Sequence, residues 1–142
     1  MKKRVSPNKK LHAYIVGLAL GDGNLSNSNG RAVRLRITCD VKYEKLNKHI
    51  LQSLQKFLPD NKVFVCRNAK RTSVDIACYS NYLENLLGWK AKNGTKYSQK
   101  VRIPEWVITN KNFIKECLRG LIQTDGSIYI DRGYKMVNIV SN

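Results

Sequence analysis

Acidic residues are scarce: 10 Asp and Glu stand against 26 Lys and Arg, leaving a formal charge of +16 at pH 7. That imbalance points to a polyanionic partner, and to a nucleic acid rather than a membrane surface, because no segment reads as an anchor. Histidine is scarcer still: only His12 and His49 occur, too few and too far apart for a histidine-metal nuclease. The four cysteines, Cys39, Cys66, Cys78 and Cys117, include no Cys-x-x-Cys pair. This argues against zinc and for a reduced intracellular setting, cytoplasmic or organellar, with the thiols as small core or sheet residues. Long apolar runs are missing too. The stretch Leu11 to Leu20 is too short to span a bilayer, and polar residues follow the basic start where a signal core would lie. A hydrophobic content of 42% nevertheless excludes a disordered basic tail, and 142 residues suffice for one core or two small pseudo-repeated units.

What the chain does contain is a motif written twice. Ile15-Val16-Gly17-Leu18-Ala19-Leu20-Gly21-Asp22-Gly23 and Leu118-Arg119-Gly120-Leu121-Ile122-Gln123-Thr124-Asp125-Gly126 share Gly at the third place, Leu at the fourth, a small residue at the seventh, then Asp-Gly. Each reads as a helix whose last turn carries an aspartate and which stops at a glycine, the residue that most easily takes the left-handed conformation ending a helix. Ala13, Gly17 and Gly21 fall on one stripe of the first helix; Cys117, Gly120 and Thr124 make a similar stripe on the second. A glycine inside a helix costs roughly 1 kcal/mol relative to alanine, so its recurrence asks for a compensating gain. Close approach of the two helices along the stripes supplies one.

If the stripes meet, Asp22 and Asp125 arrive together at two helix C-termini. The helix dipole disfavours negative charge there, and each carboxylate raises the proton affinity of the other. A hard divalent cation, Mg²⁺ or Mn²⁺, relieves both penalties, so the two aspartates are read as metal ligands. Asp-Gly alone is a common turn dipeptide; its duplication with the glycines in register carries the metal reading.

These stretches resemble the paired motifs of the LAGLIDADG homing endonucleases, in the two-motif form. The resemblance covers almost the whole chain. It departs from the family's usual letters at Leu20 and Gln123, and at Gly21 and Thr124, positions the family varies. It implies an α+β fold built on αββαββα repeats, each with a four-stranded antiparallel sheet that binds DNA. It further implies that Asp22 and Asp125 bind the catalytic metals, with Gly21 and Thr124 beside them, and that a basic residue stands near the metals, for which Lys100 is the candidate.

In chain order, a helix is expected to run to about Asp22, with Pro7 in its first turn. Strands follow over 24–29 and 31–38, joined by Asn29-Gly30. Val33, Leu35 and Ile37 point one way, Arg34 and Arg36 the other. Those arginines are the leading candidates for guanine edges or phosphates, with Asn24, Ser26 and Ser28 sharing their surface. An amphipathic helix over 43–58 covers the sheet. A second hairpin pairs 63–67 with 73–79. Its weak alternation leaves the faces of Phe64 and Asp75 unassigned, while Arg67, Lys70 and Arg71 gather at its tip for phosphates. A short helix over 81–87 closes the first repeat, residues 1–87.

Residues 88–108 read as a flexible basic linker, rich in lysine, and residues 109–142 as the second motif helix and the opening hairpin of a second repeat. The covering helix, second hairpin and closing helix are missing from that repeat, so it reads as incomplete. The expected partner is double-stranded DNA and not a membrane. The chain is expected to be a monomer if the second repeat is completed, and otherwise to take a second chain. The expected activity is Mg²⁺-dependent, site-specific cleavage of both strands across the minor groove. The alternative is a binder of the same fold that does not cut, an RNA maturase or a DNA-binding regulator.

Overall fold

The computed structural model describes residues 8–27, 32–67, 72–92, 94–124, 126–131 and 134–139, the last two spans as backbone. Asn8 opens α1 (Lys9–Asp22), its side chain accepting from the Leu11 N–H at 3.2 Å. Every residue from Ala13 to Ala19 is buried, as expected of a helix that is apolar on all sides. It feeds directly into β1 (Gly23–Ser26), which pairs with β2 (Val33–Asp40). The amphipathic α2 (Glu44–Phe57) follows, burying Ile50, Leu54 and Phe57. Next come β3 (Val63–Arg67), β4 (Ser73–Ser80) and α3 (Leu83–Leu87). A single turn, α4 (Glu105–Ile108), precedes α5 (Lys111–Thr124), which Asn110 caps by accepting from the Asn112 and Phe113 N–H groups. The strands β5 (Gly126–Asp131) and β6 (Tyr134–Ile139) form an antiparallel hairpin.

The first four strands make one antiparallel sheet in the order β1-β2-β4-β3. Leu25, Val33, Leu35, Ile37, Ile76 and Cys78 face the helices and are buried. The other face carries no helix among the described elements, as expected for a sheet with one packed side. Register settles the faces that alternation could not. Phe64 lies opposite Ala77 and Cys66 opposite Asp75, which pairs with Thr38. Phe64 and Asp75 therefore both belong to the open face.

One expectation is corrected at the end of α1. Gly23 is not left-handed but extended, with φ −80° and ψ 143°. Its glycine identity answers to space instead, since a Cβ there would come within 2.5 Å of the Ala19 Cα. The linker is also not a loose tether. Trp89 is buried, the Gln99 side chain bridges the Lys90 backbone N–H and C=O, and Glu84 accepts from the Ala91 N–H at 2.7 Å. No helix among the described residues is long and apolar enough to cross a membrane.

Candidate metal and nucleic-acid site

The most extensive contact between helices is that of α1 with α5, and it turns on the two motif glycines. A Cβ on Gly17 would lie 2.0 Å from the Cys117 carbonyl oxygen, and a Cβ on Gly120 would lie 2.5 Å from the Tyr14 carbonyl oxygen. These contacts are reciprocal. Cys117 stands three places before Gly120, and Tyr14 three places before Gly17, so each glycine receives the equivalent carbonyl of the other copy. Such exchange is the signature of a local two-fold relation. Around it, the Tyr14 hydroxyl donates to Gln123 Oε1 and the Arg119 guanidinium lies 4.2 Å from the Tyr14 ring centroid. Burial pushes the Tyr14 hydroxyl up to about 12, so it stays a donor at any physiological pH.

Asp22 ends α1 and is exposed. Together with Asp75 it adds to the burial that pushes the Cys39 thiol up to about 11, so its charge lies close to the end of β2. The carbonyls that terminate α1 are met by a lysine the sequence did not single out. Lys96 Nζ donates to Ala19 O at 3.1 Å and Leu20 O at 2.9 Å, and lies 3.5 Å from Gly21 O. Its ammonium also stands 5.9 Å from the Trp89 ring centroid. A cation at a helix C-terminus complements the dipole that makes an aspartate there unfavourable. Lys100, the expected basic residue, is exposed, with left-handed backbone (φ 54°). Thr124 turns its hydroxyl back onto its own helix, donating to Gly120 O at 2.8 Å. Among the described residues no group of three or more His, Cys, Asp or Glu is placed to hold a metal. Asp125 itself lies outside the described residues.

On the open face of the sheet, Asn24 stands opposite Arg36 and Ser26 opposite Arg34, so the four expected contact residues share one surface. No ion pair within the described residues occupies either guanidinium, and Nε of each is buried without a partner. Arg67 is exposed at the end of β3, but strand alternation sets it on the side of Val63 and Val65, away from the arginine pair. Ser28, Lys70 and Arg71 lie outside the described residues.

Among solved structures, the fold is that of a homing endonuclease. The matching structures include those of I-DmoI. Its complex with DNA and Mn aligns with a TM-score of 0.59 at 19% identity, covering 84% of this chain and 63% of that one. Its mesophilic variants align at 0.59 and 18%, with the same coverage, and its complex with DNA and Ca at 0.59 and 19%, covering 84% and 59%. The chain thus spans less than two thirds of the length of these structures. No protein-family model matches the sequence, and no curated protein does. The likeness establishes the α+β homing-endonuclease fold with its four-stranded antiparallel sheet.

Proposed function

We propose that the chain is a site-specific double-strand DNA endonuclease, or the larger part of one. The observation that carries this reading is the reciprocal seating of Gly17 and Gly120. Asp22 and Asp125 stand at the same offset beyond those glycines in the sequence, which supports equivalent roles for them, one for each DNA strand. The fold supports the reading, since its solved neighbours include DNA complexes formed with Mn, Mg or Ca.

The donor set suits a hard cation: carboxylates at two helix ends, and carbonyl oxygen at Gly21. Mg²⁺ is commonly held by one or two carboxylates with substrate phosphate oxygens supplying other positions, so a protein cluster of three acids is not required. Bound there, Mg²⁺ or Mn²⁺ supplies a Lewis acid that activates water and stabilises the departing 3′ oxygen. The chain's own groups place the DNA. Arg34 and Arg36 engage the major groove, and the lysine-rich linker neutralises phosphates. Lys96, already held at the tip of α1, is a stronger candidate than Lys100 for the basic residue beside the scissile phosphate.

The test is a cleavage selection on the purified chain with a randomised duplex library, in Mg²⁺ or in EDTA. Discrete double-strand cuts in Mg²⁺, absent in EDTA and absent from Asp22→Asn and Asp125→Asn variants that still bind, are expected. Binding with no cut under any divalent cation would leave only the non-cutting binder of the same fold.

A further inference from the structure

The register of the sheet arranges its open face in rows. Ser26, Arg34 and Tyr79 share one row; Asn24, Arg36, Ala77 and Phe64 share the next; Thr38, Asp75 and Cys66 form the third, at the Asp22 end. The first two rows are neither basic nor polar throughout. Phe64 and Tyr79 stack with ring centroids 5.9 Å apart and planes 20° from parallel, and Tyr79 is 37% exposed. Both rings line an open cavity of about 650 Å³ whose rim includes Lys62. Ala77 bears only a methyl group yet is 2% exposed, so its row neighbours Arg36 and Phe64 close over it. Two guanidinium groups without an ion pair among the described residues thus border an aromatic ledge.

A stacked aromatic pair on a solvent face costs apolar surface left in water unless a partner covers it. The major groove of B-DNA offers one strongly apolar group, the C5-methyl of thymine, beside the O6 and N7 acceptors of guanine that arginine matches. Resting on the DNA-binding reading above, we infer that the Phe64–Tyr79 ledge reads thymine methyl groups next to guanines contacted by Arg34 and Arg36. The ledge thereby selects duplex DNA over RNA. Uracil lacks that methyl, and the major groove of an A-form helix is too narrow for side chains to read.

The test changes the ligand before the protein. Duplexes that bind the purified chain are selected from a randomised library, and thymine is then replaced by deoxyuridine at single positions. Thymine is expected to be enriched next to guanine. Removal of one contacted methyl is expected to weaken binding about fourfold, the fold-change of one buried methyl-sized group. The Phe64→Ala variant is expected to bind thymine and uracil duplexes equally while keeping its guanine preference. Equal binding of both duplexes by the unaltered chain would overturn the ledge and leave the DNA-binding reading intact. No selective binding to any duplex would overturn that reading itself.

Discussion

The two motif helices carry one pattern and live in different surroundings. Laid motif over motif, Ile15 of α1 corresponds to Leu118 of α5, and His12 to Lys115. Ile15 is fully buried whereas Leu118 is 37% exposed. His12 is wedged between the rings of Phe57 and Trp106, whereas Lys115 is exposed. The glycines are treated alike, as are the buried Tyr14 and Cys117 whose carbonyls they meet. What the motif encodes is therefore the crossing; how deeply each helix is buried is set by what the rest of the chain packs around it.

The largest expected effect strikes what the helices share. Gly17→Val and Gly120→Val each drive a branched side chain into a backbone carbonyl that cannot swing aside, and each is expected to cost upwards of about 3 kcal/mol, seen as a collapse of the urea midpoint. Similar losses from the two would confirm the reciprocity; a tolerated valine at either would mean the helices stand further apart. Next come the positions that differ. Ile15→Ala is expected to cost about 3 kcal/mol and Leu118→Ala under about 1 kcal/mol, because only the first opens a cavity in a closed core. Equal losses would erase the contrast between the two environments.

The same contrast explains how much could be read in advance. The stripe of small residues was legible because close packing of helices leaves glycine little substitute, and the apolar span of α1 announced burial on every side. The hydrophobic period of α2 and the alternation Val33, Leu35, Ile37 likewise placed helix and core face. The partner order β1-β2-β4-β3 was not legible, nor were the faces of Phe64 and Asp75, because β3 is a short edge strand whose alternation is weak. Lys96 was missed for a different reason. It is one of four lysines in the linker (Lys90, Lys92, Lys96, Lys100), and nothing periodic separates it from the others. Its course follows anchors earlier in the same connector and at α3, Trp89 in the core and Glu84 holding the Ala91 N–H. Of the carbonyls it meets, Ala19 O already accepts the Gly23 N–H, while those of Leu20 and Gly21 lie in the last turn, where a helix leaves carbonyls without partners of its own.

Lys96 donates to the last carbonyls of α1. Lys96→Met keeps most of the stem and removes the ammonium, leaving the last carbonyls of α1 to water. The expected loss is about 1 kcal/mol, together with faster amide exchange in the last turn of α1. Unchanged exchange in that turn would show that the ammonium adds nothing to the helix end.

The smallest effect belongs to His12, and it too is peculiar to α1. Burial holds the imidazole below its ordinary value of 6.5, against the raising effect of the Leu86 carbonyl and with the help of nearby Lys9. Because Nε2 lies 2.7 Å from Leu86 O, a carbonyl that can only accept, the neutral ring carries its proton on Nε2. The folded chain takes up the second ring proton, which goes to Nδ1, less readily than the unfolded one, so the unfolded state binds more protons just below pH 6.5. Stability contributed by neutral His12 is thus present above that pH and is lost as pH falls toward the depressed folded value. In unfolding midpoints measured from pH 7.5 down to about 5, the unaltered chain is expected to decline more steeply than the His12→Gln variant. Lys115→Gln, at the equivalent exposed place on α5, is expected to leave the slope unchanged. A His12→Gln slope that matches the unaltered chain would mean the ring protonates as freely in the fold as out of it, and that the deep seating of α1 stops short of its first turn.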